Sequence, residues 1–296
     1  MSTHRYLRFF LCAGLCMAAG YVLLPIAAFS SPAIRVEKTV ATTGHPSVTL
    51  SNLRGRVTIR GWSRRMVHAV YILASPRIAV DFDVRPGQGP AQDVHFSTHA
   101  IDPTAADQLR TADFTLEIPS GASLEVHDPE GSLQVESIQG DTDLESFGAP
   151  IVVTDIGGHL AVRTLTGDIS ITRAAGRIEA TSINGNLRLI DATSSEVRAS
   201  TNSGDIFYEG NFASGGMYVL SDYSGTMDIL CPPQASFELH AKTVRGKLED
   251  NFPIVRSRRF PSALNSGNSL VGTHSTGEAT VELRSFSGTI RIRPEP

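Results

Sequence analysis

Cysteine is almost missing from this chain of 296 residues: there are three, and Cys12 and Cys16 both fall within the first thirty positions. Beyond that leader only Cys231 remains, which excludes an intrachain disulfide in a mature protein. Cys231 closes the alternating run Met227-Asp-Ile-Leu-Cys ahead of Pro232 and Pro233. It reads as a small buried apolar residue. An excess of positive charge is lacking too, since 26 Lys and Arg stand against 30 Asp and Glu for a formal net charge of −4. Without Arg5 and Arg8 the remainder carries about −6, the opposite of a nucleic-acid-binding footprint. No Ser-His-Asp set, Cys-x-x-Cys or phosphate loop stands out. The Gly-Gly-x-Gly-x-Asp run of calcium-binding nonapeptide repeats is absent as well. The sequence therefore predicts no catalytic residues, no metal and no cofactor.

What is present begins with the leader. Met1 to Arg8 is short and positive, and Phe9 to Phe29 carries no charge. Ala28-Phe29-Ser30 offers a small-x-small cleavage site. Residues 1–30 are read as a signal peptide or, given the length of the apolar run, an uncleaved membrane anchor. Neither Cys12 nor Cys16 follows the small-residue pair of a lipoprotein signal. Export is expected either way, to the periplasm, the outer surface or a membrane-anchored position outside the cytoplasm.

The second feature is a pulse. Stepping by nine from position 131 gives Gly131, Gly140, Ala149, Gly158, Gly167, Gly176 and Gly185. After a one-residue slip it resumes at Ser195 and Gly204, then loosens through Gly216, Gly225, Gly246 and Gly288, with an earlier copy at Gly55. The second and fourth residues after these glycines are apolar, as in Val57/Ile59, Leu133/Val135, Ile169/Ile171, Leu187/Leu189 and Ile290/Ile292. Such alternation makes a short strand with one buried face. Nine residues hold a strand and a corner but no crossover helix. Every second corner is alike, as in Thr164-Leu-Thr-Gly, Ser182-Ile-Asn-Gly and Ser285-Phe-Ser-Gly. The predicted fold is all-β: a β-solenoid, a single-stranded β-helix-like stack of short strands with about 18–20 residues per turn. Two residues before the glycine an apolar side chain recurs (Ile138, Ile156, Leu165, Ile183, Tyr223, Val244, Phe286), expected to turn inward through a glycine with positive φ. Residues 31–126 are expected to form an irregular N-terminal β cap, with a hairpin from Ser47 to Ile72 about Gly61-Trp62. Residues 127–296 form the repeat domain, with a flexible excursion at 251–276.

Several stretches together resemble the bacterial putative-adhesin family of β-strand repeats. They are Phe114 to Val126 (FTLEIPSGASLEV), the Ser/Thr-x-x-Gly-Asp/Asn-Ile/Leu corners, and Lys242-Thr-Val-Arg-Gly with Asp250-Asn-Phe-Pro. Leu283 to Ile292 and Asn52 to Trp62 complete the set, and the likeness covers about residues 45–293. The resemblance implies an exported, non-catalytic solenoid, with some relatives tied to cell-envelope stress responses. It supplies no catalytic residues.

Candidate groups each have a plainer reading. Asp168, Asn186 and Asp205 follow corner glycines and would stack as a column, continued by Thr226 and Lys247. Paired carboxylates there could serve a β-helical carbohydrate-active enzyme, the alternative function, but Gly-Asp and Gly-Asn are ordinary turn chemistry. The opposite column, Asp141, His159, Arg177 and Glu196, mixes signs as solvated faces do. His95 and His99, near Asp93 and Asp102, lie about 13 Å apart if extended, too far to share a zinc ion. Arg54, Arg56, Arg60, Arg64 and Arg65, with Arg256, Arg258 and Arg259, could grip an anionic polymer or serve as a solvated face. Phe207, Tyr208, Phe212, Tyr218 and Tyr223 could stack sugars or, more simply, fill a wider section of core. The leading expectation is a non-enzymatic β-repeat surface that binds or scaffolds at the bacterial envelope. Its partner would be an envelope polymer or another envelope protein, with no nucleic acid and no membrane contact beyond the leader.

Overall fold

Alternation decides the local structure, and the eighteen-residue recurrence decides how the strands pair. Leu160–Thr164 pairs in parallel with Ile178–Ser182, placing Leu160 beside Ile178. Ile169–Ala174 pairs with Leu187–Ile190, placing Ile169 beside Leu187. Consecutive strands thus lie in two different sheets, and each strand bonds to the strand one full circuit away. Two strands, one per sheet, make a rung. The computed structural model describes residues 33–86, 89–256 and 268–295. The expected leader at 1–30, and Arg258 and Arg259, lie outside the described residues. Among the described residues there is no α-helix; one 3-10 helix, Asp107–Arg110, precedes Ala112–Pro119. The architecture is an all-β solenoid, built within the compact unit Pro32–Pro296.

The inward residues of successive rungs form one continuous apolar interior. Leu133, Val135, Ile151, Val153, Ile169, Ile171, Leu187 and Leu189 line one sheet, each at most 1% exposed. Leu144, Leu160, Val162, Ile178, Ala180 and Val197 line the other, equally buried. Each Val, Leu or Ile among them contributes about 1.5–3 kcal/mol on leaving water. Tyr208, Phe212 and Tyr218 fill a broader section: Phe212 stacks on Tyr208 at 5.5 Å and meets Tyr218 edge-on at 4.8 Å.

At both ends the order of rungs in space departs from their order in the chain. The rung made by Met217–Ser224 and Thr226–Cys231 is followed not by Phe237–Thr243 but by Ala279–Ser285 and Thr289–Pro294. Phe237–Thr243 and Leu248–Asp250 then lie on the far side of that late pair. At the other end Ser47–Ser51 and Gly55–Trp62 sit between two later segments. Ser123–His127 and Gly131–Ile138 flank them on one side, Ala91–Ala100 and Ala112–Pro119 on the other. The coil therefore crosses the boundary placed at residue 126, and the region read as a cap supplies rungs of its own.

The expected hairpin about Gly61-Trp62 does not form. Gly55–Trp62 and Met66–Leu73 are both bonded to Ala112–Pro119, in parallel and antiparallel sense respectively, so the later strand separates them. Met66–Leu73 and Ile34–Ala41 finish one sheet antiparallel, and Ile78–Arg85 finishes the other. At the far end Ser269–His274 runs antiparallel to Phe237–Thr243, so part of the segment expected as a flexible excursion is strand.

The two kinds of corner bend by different means. At one, the positive φ falls on Ser137, Asp155, Arg173 and Asp191 rather than on glycine, with φ of 62°, 58°, 55° and 52°. This step reverses side-chain parity and turns Ile138, Ile156, Ala174 and Ala192 inward. The Arg173 guanidinium donates to Asp155 at 2.6 Å, tying two of these left-handed residues together. Glycine recurs for another reason. A Cβ on Gly185 would overlap the carbonyl oxygen of Gly167, one on Gly204 that of Gly185, and one on Gly225 that of Gly204. The column continues from Gly225 to Gly288 and from Gly288 to Gly246, the spatial order of the rungs. Close approach of stacked backbones, more than left-handed φ, sets the pulse.

Candidate functional site

The corner that ends in this glycine column carries the densest chemistry of the coil. Three positions before each glycine, or before Ile101 and Ala149 on the two rungs that lack it, the residue that follows the last inward strand position points into the interior and is polar. In spatial order the column runs Thr98, Asn52, Asp128, Ser146, Thr164, Ser182, Thr201, Asp222, Ser285 and Thr243, all at most 8% exposed. The hydroxyls accept backbone N–H groups of their own corner: Gly167 donates to Thr164 and Gly246 to Thr243 at 3.0 Å, and Gly288 to Ser285 at 2.8 Å. Thr201 donates to the Gly185 carbonyl at 3.0 Å, binding one rung to the next.

Two carboxyls interrupt this ladder. Asp128 is fully buried, and burial is the main cause that pushes its pKa up to about 7, with Asp113 and Glu130 adding to the rise. Asn52 opposes the shift by donating its amide to Asp128 Oδ1 at 3.2 Å, while Oδ2 has no partner. Asn52 also donates to the Ala112 carbonyl and accepts from Thr98, so these side chains join the exchanged rungs at that end. Asp222 is likewise raised by burial, with Ser285 acting against the rise; neither oxygen attains hydrogen-bond geometry.

Outside the corner, the column of Asp168, Asn186 and Asp205 is a set of backbone caps. Asp168 accepts the Asn186 N–H at 2.8 Å, Asn186 that of Asp205 at 2.9 Å, and Asp205 that of Thr226 at 2.7 Å. Asn186 separates the two carboxylates, and all three residues are exposed on the corner. At the opposite corner Asp141 caps the His159 N–H at 3.1 Å, and Arg177 pairs with Glu179 and Glu196. A small surface depression brings Glu125, Asp143 and His159 near one another, but Arg163 holds Asp143 through both carboxylate oxygens.

His95 and His99 point the same way from the extended strand Ala91–Ala100 and do not converge. His99 pairs with Asp81 at 3.0 Å, Asp93 lies opposite Arg85, and Asp102 is engaged by Arg77 and Thr104. Three arginines of the expected cluster are spent locally, while Arg56, Arg65 and Arg256 are exposed and in no ion pair with a described residue. Arg54 pairs with Glu130 and Asp107, Arg60 with Glu136 at 2.9 Å, and Arg64 lies over the Trp62 ring. Of the aromatics, Tyr208, Phe212 and Tyr218 are core. Phe207 is outside beneath Arg188, and Tyr223 is 53% exposed and stacked on Phe286 at 4.7 Å.

One feature of this corner runs against its expectation. The apolar residue two before the glycine turns inward only at the opposite corner. Here it points out, because the buried hydroxyl before it already takes the inward position. Phe147, Leu165, Ile183, Tyr223 and Val244 are 44–53% exposed, and with half-buried Phe286 they form an outward ridge. The alternation rule had no means of telling the two corners apart; the preceding Ser or Thr was the available signal.

No family model matches the chain, and no curated protein does. Among solved structures it is similar to a "putative cell adhesion protein" from Clostridium sporogenes at 10% identity and a TM-score of 0.31, covering 89% of this chain and 100% of that one. It is also similar to a "putative adhesin" from Bacteroides fragilis at 10% identity and a TM-score of 0.43, covering 88% and 97%. The coil itself is established by the register of its strands.

Proposed function

We infer that this protein is an exported, non-enzymatic β-repeat whose regular outer surface binds or scaffolds at the bacterial envelope. The observation that carries the reading is the use made of its outward carboxylates. Asp168, Asp205 and Asp141 cap backbone N–H groups, and Asp143, Asp155, Glu136 and Asp228 pair with arginines of neighbouring rungs. A carboxylate committed to holding rungs together is poorly placed to shuttle protons to a substrate. The leader at 1–30 supports export. Proximity labelling of the exported full-length protein should mark envelope components, and a cytoplasmic labelling pattern would count against the reading. A polysaccharide panel tests the enzymatic alternative: chain cleavage that Asp168→Ala or Asp205→Ala abolishes would replace this reading with a glycan-cleaving one.

A further inference from the structure

The outward ridge offers a surface with a direction. Its seven-rung stretch from Phe147 runs Phe147, Leu165, Ile183, Asn202, Tyr223, Phe286 and Val244, one residue per rung. Past Phe147 the same outward position is held by Pro129 and Leu53. At about 4.8 Å per rung the seven-rung stretch extends about 29 Å. Contiguous exposed apolar surface of this kind marks a contact site more often than chance. Its flanks are charged unevenly. Exposed Glu145, 3.4 Å from His127 Nδ1, and exposed Asp168, which caps the Asn186 N–H, lie beside the Phe147 end. Exposed Lys242, Lys247 and Arg245, the last over the Phe286 ring, lie beside the Val244 end. Among the described residues neither Lys242 nor Lys247 lies within ion-pair distance of an acid.

We propose that this ridge is the contact face of an antiparallel, two-fold dimer with a second copy of the chain. A two-fold axis across the ridge at Asn202 sets residue i against j and j against i. It places Phe147 against Val244 of the second copy, Leu165 against its Phe286, and Ile183 against its Tyr223. The one polar member, Asn202, meets itself, and its exposed amide supplies both donor and acceptor. The same axis keeps like flanks together, so Glu145 faces Lys242 of the other copy, and Lys247 is one rung from Asp168. Arg163 and Arg284 also face one another, but each is already paired, with Asp143 and Glu282. A parallel pairing would instead crowd the basic ends together. A single ridge of this length is narrow for a protein interface and belongs with weak, transient contacts, so association is expected only at micromolar or higher protein concentration.

Sedimentation velocity on the exported protein across about 1–500 μM tests this. The expected result is a monomer–dimer equilibrium that weakens as salt rises. Ile183→Lys should shift it at least tenfold toward monomer, with an unchanged melting temperature showing that the fold is intact. Glu145→Lys and Lys242→Glu should each weaken it, and the double exchange should restore it. Monomer at every concentration would overturn the proposal, as would a dimer indifferent to Ile183→Lys. Failure of the double exchange to restore dimerisation would overturn the antiparallel arrangement.

Discussion

Asp128 shows how much one side chain can be at odds with its surroundings. An unfolded Asp titrates near 3.9, whereas burial holds this one at about 7. Between those values the folded chain keeps a proton that the unfolded chain has lost, so stability falls as pH rises through that window and levels off above about 7. The full loss is on the order of 4 kcal/mol. Asp128→Asn should therefore raise the melting temperature at pH 8 and flatten its fall between pH 5 and 8; an unaltered pH profile would contradict the assignment. Two glycines of the corner that holds Asp128, one in the stacked column and one beside it, make a second test. Gly185→Ala forces a Cβ into the Gly167 carbonyl and should cost about 2–4 kcal/mol. Gly148→Ala, whose nearest neighbour would be Thr166 Oγ1 at 3.5 Å, should stay within about 0.5 kcal/mol. Denaturant melts of the two variants decide it. The sequence displayed these glycines but not their cause, because close approach to another rung leaves no local mark in the chain.

At the scale of the element, short strands and corners were legible because period-two alternation is a local property. Gly55 to Ile59 and Gly167 to Ile171 could be read directly. The two corners could not be told apart by their apolar residues, since Ile156 and Ile183 hold the same place before their glycines yet face opposite ways. The hydroxyl ladder makes the difference, and it bears load. Thr164→Val keeps the shape but removes the acceptor of the buried Gly167 N–H, and should cost about 1–3 kcal/mol in a urea melt. A neutral result would mean that water reaches that N–H. The candidate carboxylates were legible as turn residues, and their caps are one rung long, so stacking had to be inferred before Asp168 and Asn186 could be joined.

For the whole molecule, the coil was readable where its period holds and unreadable where the order of rungs is exchanged. Asn52 bonds to Asp128 across 76 positions, and no pattern within either segment announces it. The exchange makes the late rung internal. A chain ending at residue 278 removes the strands that separate Met217–Ser224 from Phe237–Thr243, so each loses one of its two strand neighbours. Phe237–Thr243 then keeps only Ser269–His274, a two-stranded remnant that is marginal in water. Hydrogen exchange should then show Phe237–Thr243 unprotected while Leu133 to Tyr208 keeps its protection, as expected of units that contact only their neighbours. Protection retained at Phe237–Thr243 would refute the internal role. The same placement has a consequence for how the molecule is made. In a chain delivered from its amino end the keystone, Ala279–Pro294, follows both courses it joins, and until it arrives the masonry beyond it has nothing to rest upon.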